Sequence, residues 1–172
     1  VSQIKPVNQS FKLTPHQLNN SIGRESDASN DWNIFTNPTM NNSNNGSTPY
    51  VDYTAKPNFN YESGFYNSEL AVSIDCEDVD VSIYYTADGS FPDDESDLYA
   101  TVDNNGTINY TSDQTINISS TTVLRAIAYS SNNNFLPSFI ETNSYFINDN
   151  HSVVVVSIAG EQVDNLLNGN QI

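Results

Sequence analysis

Leu70-Ala71-Val72-Ser73-Ile74-Asp75-Cys76, followed after Glu77-Asp78 by Val79-Asp80-Val81-Ser82-Ile83-Tyr84-Tyr85, sets an apolar side chain at every second position. Side chains of a pleated strand alternate between two faces, so this period predicts two strands, each with one buried and one wet face. Only two residues separate the runs, which suits a tight hairpin or a bend from one sheet to another. Further alternating runs follow at Thr107 to Thr111, Thr115 to Ser119, Thr121 to Tyr129 and Phe139 to Ile147. Asp88-Gly89 marks a turn and Asn132-Asn133-Asn134 with Pro137 a loop. Short strands at this spacing, with no helical period of ten or more residues between them, predict an all-β fold. The architecture expected is an antiparallel immunoglobulin/fibronectin-III-like β-sandwich with short flanking segments. Its core is expected from Leu70, Val72, Ile74, Val81, Ile83, Tyr85, Ile116, Ile118, Leu124, Ala126, Ala128 and Phe146.

Composition narrows the partners. The 172 residues hold 21 acids and 5 bases, a formal charge of −16. Such a surface is repelled by nucleic-acid phosphates and anionic headgroups, so neither nucleic acid nor membrane insertion is expected. The charge is uneven. Residues 1–56 hold four acids and four bases, whereas Asp75 to Asp103 holds ten acids and no base. The run Asn41 to Pro49, rich in Asn, Ser, Gly and Thr, reads as a linker. At the other end, Ser152 to Ile158 is almost continuously apolar and reads as a strand of a further domain, and Glu161 to Asn168 has helical spacing. Low lysine with abundant Asn, Ser, Thr and Asp suits an extracellular or cell-surface protein. The lone Cys76 excludes an internal disulfide and sits in an apolar face, so a buried, inert thiol is expected.

A resemblance emerges from Ile83-Tyr84-Tyr85-Thr86-Ala87-Asp88-Gly89-Ser90 with Pro92, then Tyr110-Thr111, Thr115-Ile116, Thr122 to Ala128, Leu136-Pro137-Ser138 and Tyr145-Phe146-Ile147. In this order they resemble the chitobiase/β-hexosaminidase C-terminal type domain, which implies a small accessory β-sandwich and no active site. Against that pattern the acidic stretch Asp93 to Asn109 stands out as an insertion. Upstream, Leu13-Thr14-Pro15-His16-Gln17, Ser21-Ile22-Gly23-Arg24, Trp32 and Pro38-Thr39 resemble the closing strands of a lamin-tail-like domain, with Trp32 as a packing anchor. Downstream, His151 to Ile158 and Asn165-Leu166-Leu167 resemble the opening of the kinase-like domain of spore coat protein H (CotH) relatives. The resemblances imply a lamin-tail-like end and linker over residues 1–46, the chitobiase-type sandwich over 47–148, and a CotH-like start over 149–172.

Catalysis is not expected of this chain. His16 and His151 lie in different units, and neither has a nucleophile or carboxylate at a recognised motif spacing. Two binding chemistries are open. Asp75, Asp78, Asp80, Asp93, Asp94 and Asp97 would offer the hard oxygens that calcium takes in sets of about six to eight. No EF-hand spacing is present, and a solvated anionic face explains the acids as well. Tyr84, Phe91, Tyr99 and Tyr110 would offer rings for sugar C–H faces, although aromatic residues are also ordinary strand formers. Arg125, the one base after Lys56, is expected to project outward to a cross-strand carboxylate. The function expected is a non-catalytic spacer or connector in a secreted or cell-surface multidomain CotH-type protein. Its partners are the neighbouring domains, and polysaccharide or another cell-surface protein on the adhesive alternative. An accessory role within a CotH-like kinase is the third possibility.

Overall fold

The computed structural model describes residues 14–26, 29–149 and 151–160. The chain divides into two units, Val1–Pro49 and Tyr50–Ile172. In the first, β1 (Ser21–Arg24) and β2 (Trp32–Phe35) form an antiparallel pair. Ile34 and Phe35 are buried, whereas Trp32 is 37% exposed, its ring under the Arg24 guanidinium at 5.6 Å rather than anchoring the interior. The segment with linker composition carries turns tied back to this pair. Asn44 Nδ2 donates to the Arg24 carbonyl at 2.8 Å, and Asn41 and Gly46 take positive φ.

The second unit is an all-β, immunoglobulin-like sandwich. Its larger layer has six strands in the order β10-β9-β8-β12-β14-β5. These are β5 (Gly64–Tyr66), β8 (Val81–Thr86), β9 (Asp97–Val102), β10 (Ile108–Tyr110), β12 (Thr122–Ser130) and β14 (Glu141–Ile147). Facing it are two short antiparallel pairs, β4 (Asn58–Phe59) with β7 (Ile74–Asp75), and β6 (Leu70–Val72) with β11 (Ile116–Ile118). A parallel pair, β3 (Asp52–Tyr53) with β13 (Phe135–Leu136), lies beyond the end of β12. Every second side chain fills the space between the layers, as the sequence period requires. One buried cluster holds Ile74, Val81, Ile83, Tyr99, Val102 and Ala126, and a second holds Leu70, Val72, Ile118, Leu124, Tyr145 and Ile147. Phe59, Tyr85 and Ile116 pack against both.

Several sequence expectations change. The run Leu70 to Cys76 is not one strand. It breaks at Ser73, whose N–H turns to the Asn60 side chain, so β6 and β7 take different partners. Of the two alternatives for Glu77-Asp78, the bend from one sheet to another holds and the hairpin does not, since β7 and β8 lie in different layers. Val79 lies outside β8 and is exposed, because Asp80 adopts φ +53 and reverses the chain before Val81. The acidic stretch Asp93 to Asn109 is not a mere insertion. It contains β9, which pairs β8 and buries Tyr99, Ala100 and Val102. A bulge between Ile83 and Tyr84 shifts that register, which is why two successive residues, Tyr99 and Ala100, both come to be buried. In β14 the parity is opposite to that expected. Tyr145 and Ile147 face the core and Phe146 faces outward, because Leu124 pairs with Asn143 and Thr122 with Tyr145. The apolar run Ser152 to Ile158 forms no strand; Val153, Val154, Val156 and Ile158 are exposed. The helix expected over Glu161 to Asn168 lies outside the described residues.

Candidate functional site

The 87–96 segment folds from the end of β8 back over the outer face of the larger layer, and local hydrogen bonds shape it. Asp88 Oδ1 accepts from Ser90 N at 2.9 Å and from Ser90 Oγ at 2.5 Å. Those bonds hold the Asp88 carboxyl below the usual carboxylate range. Gly89 between them has φ +80, where an L side chain is strained. Asp93 Oδ1 accepts from Glu95 N and Ser96 Oγ, and Ser96 Oγ in turn accepts from Asp93 N. The result is an open polar cleft of about 460 Å³ lined by Tyr85, Thr86, Asp88, Glu95, Ser96 and Asp97. Beside it Arg125 projects from the outer face of β12, as expected, but is buried there beneath the 87–96 segment. Its Nε donates to Thr142 Oγ1, the cross-strand neighbour, its Nη1 donates to the Gly89 carbonyl at 3.2 Å, and its guanidinium lies 5.8 Å from the Phe91 ring. The physical reason is that Phe91 and the 87–96 segment cover β12 on the side turned away from the core.

The six aspartates proposed for calcium fall before and after β8. Asp75 Oδ1 accepts from Cys76 N, and Asp78 Oδ2 accepts from Ala55 N at 2.7 Å, so both carboxylates are engaged by backbone. Asp80 takes the reversing conformation ahead of β8, while Asp93, Asp94 and Asp97 belong to the segment after it. Among the described residues no three His, Cys, Asp or Glu side chains come together as a set of metal ligands.

The four rings proposed for sugar stacking divide between the faces. Tyr99 is 3% exposed, and its hydroxyl accepts from Ile74 N at 3.2 Å and donates to the Gln114 carbonyl at 2.5 Å. It belongs to the core and cannot stack on a ligand, because the β9 bulge turns it inward. Tyr110 meets it edge-on at 5.6 Å. On the opposite face Tyr84 is half-buried, edge-on to Tyr129 at 5.7 Å, and Phe91 is 46% exposed. Sequence reasoning missed the most open aromatic pair, Phe65 stacked on Phe146 with centroids 4.7 Å apart. Parallel pairing of β5 with β14 puts them side by side, and a three-residue strand has too little period to announce itself. Next to them runs a groove of about 410 Å³ whose lining, including Ser63, Thr142, Ser144, Phe146, Val155 and Ser157, is uncharged. Ser144 Oγ meets Ser157 Oγ at 2.6 Å across it.

Among the described residues neither histidine meets a nucleophile or a carboxylate. His16 Nδ1 meets the Thr14 carbonyl, and His151 lies against the Phe65 ring. Asp103, like Asp88, is held low in pKa, in its case by the backbone N–H of Thr107. Both therefore stay ionised at neutral pH, the wrong direction for a general acid. Burial pushes the Cys76 thiol up, and the carboxylates of Asp78, Asp75 and Glu77 push it the same way. We expect Cys76 to resist iodoacetamide in the native protein at pH 7.5 and to be alkylated at the rate of a small-molecule thiol in 6 M guanidinium; fast native labelling would contradict its burial.

No curated protein and no solved structure matches the chain. β14 lies between β12 and β5, so the structural sandwich runs on past β13 to Ile147. Within it the stretch from Tyr61, just ahead of β5, to Leu136 in β13 matches the family described as the chitobiase/beta-hexosaminidase C-terminal domain.

Proposed function

We propose that residues 50–149 are a non-catalytic connector in an extracellular or cell-surface multidomain protein, set between a lamin-tail-like and a CotH-like neighbour. One observation carries this reading: the chain enters the sandwich at one pole and its last strand, β14, ends at the other, after which residues 151–160 turn back beside β14. At entry, Val51 N donates to the Asn134 carbonyl and Thr54 N to the Leu136 carbonyl, beyond the end of β12 at Ser130. At exit, Ile147 N donates to Thr121 Oγ1 and Asn148 N to the Tyr66 carbonyl, at the start of β12. Eight steps of about 3.3 Å put roughly 26 Å between those poles. A module that binds and one that spaces differ in what a ligand does to it. Spin labels at Tyr50 and Asp149 are expected to give one narrow distance distribution between about 25 and 35 Å. It should not change with millimolar calcium or chitin oligosaccharides, and calorimetry should show no saturable heat. Saturable heat with either additive would replace the connector by the adhesive reading, with the Phe65–Phe146 pair and the outer face as the first surface to mutate.

A further inference from the structure

The same strand geometry points to a mechanical role, and it rests on the connector reading for its biological sense. The first strap of the sandwich, residues 50–66, runs from the entry pole to the exit pole, in the same direction as the last strand, β14. It is stitched along its length to the closing segment of the sandwich. β3 pairs in parallel with β13, and β5 pairs in parallel with β14. Between these, Thr54 Oγ1 donates to the Leu136 carbonyl and Lys56 pairs with Glu141. Asn143 Nδ2 and the Tyr145 hydroxyl both donate to the Tyr61 carbonyl, at 2.9 and 3.0 Å, and Ser144 N donates to Ser63 Oγ.

Hydrogen bonds of a ladder lie across the strands. When the entry end is pulled one way and the exit end the other, strap and β14 are driven to slide past each other. Every bond between them is then loaded at once and in shear. Two antiparallel strands pulled from the same end would instead unzip rung by rung. The strap is also tied to the facing layer where β4 pairs with β7, but its bonds to β14 form the direct path between the two pulled ends. We infer that the strap 50–66 and β14 form a shear clamp that lets the module bear tension between its neighbours without extending.

The test is single-molecule force spectroscopy on the full chain, with handles coupled through introduced cysteines; the buried Cys76 does not compete. Handles at Tyr50 and Asp149 load the clamp, and handles at Val79 and Asn132 load the β8–β12 ladder from the rung Val81–Ser130. At one loading rate the first geometry is expected to need about twice the rupture force of the second, or more, since forced unfolding reads the unfolding barrier along the pulled direction. It should release about 100 residues in one step, or about 340 Å of contour length. In the parallel ladder, Gly64 lies two residues before Tyr66, so its N–H also faces β14. Gly64→Pro removes that donor, and it should lower the force and let the strap leave first, as a separate step of about 17 residues or roughly 60 Å. Gly64→Ala keeps the donor, and a Cβ there meets nothing nearer than 3.6 Å, so its force should equal that of the wild type. Equal rupture forces in the two geometries, or a wild-type strap that peels before the rest, would overturn the clamp. If Gly64→Pro does not fold, the two pulling geometries decide alone. Ligand binding in the label experiment would remove the connector without touching the force anisotropy, so the two readings fail separately.

Discussion

Leu124→Ala is expected to lower the unfolding free energy by about 3 kcal/mol, within the range of about 2 to 5 for a leucine truncated in a packed core. Leu124 is fully buried on β12, which has β8 on one side and β14 on the other, so neither neighbour can move in to fill the space. For a domain whose total stability is on the order of 5 to 15 kcal/mol, that is a large fraction. Urea denaturation followed by far-ultraviolet circular dichroism should show the midpoint falling with the slope unchanged. Val123→Ala, one residue away and turned to the half-buried outer side against Gly89, should cost about 1 kcal/mol. The contrast between adjacent positions tests the inward and outward assignment of the central strand. Equal losses at the two positions would mean that the register is wrong.

Tyr99→Ala is expected to cost as much or more, about 3 to 5 kcal/mol, because the ring fills the space between Tyr85 and Tyr110. Tyr99→Phe separates packing from hydrogen bonding. It keeps the ring but takes the hydroxyl from the Ile74 N–H and the Gln114 carbonyl, which should cost about 1 to 3 kcal/mol as those groups lose their partner. A thermal scan reads both variants. Were Tyr99 a solvent-facing platform for a sugar, as the sequence allows, neither change would move the melting temperature by more than a degree or two. A scan of that kind would return β9 to the surface and remove the bulge that turns Tyr99 inward.

The expectations that fail share a cause. Acids dominate Asp93 to Asn109 and give it the look of an insertion, yet Tyr99, Ala100 and Val102 are held inside by β8 on one side and β10 on the other. Trp32 and Arg125 each have a local reading, one as an anchor and one as an outward charge paired with a cross-strand carboxylate. Each is placed instead by a contact from elsewhere in the chain, Arg24 for the first and Gly89 with Phe91 for the second. β3, β4 and β5 leave no signal in the sequence, since two or three residues carry no measurable period, and they exist only because β13, β7 and β14 supply their partners.

From Leu70 to Ala128 the alternation of apolar and polar residues is enough to establish an all-β fold and most of its interior: Leu70, Val72, Ile74, Val81, Ile83, Leu124, Ala126 and Ala128 are all buried as expected. That information is local, because the pleat of a single strand sends successive side chains to opposite sides whatever its neighbour is. Which strand lies beside which, the parity of Tyr145 and Phe146, and the strap that joins Tyr61 to Asn143 depend on bonds between residues some 80 positions apart. Those bonds are worth making only once the chain has closed on itself, so no short window of residues carries a trace of them.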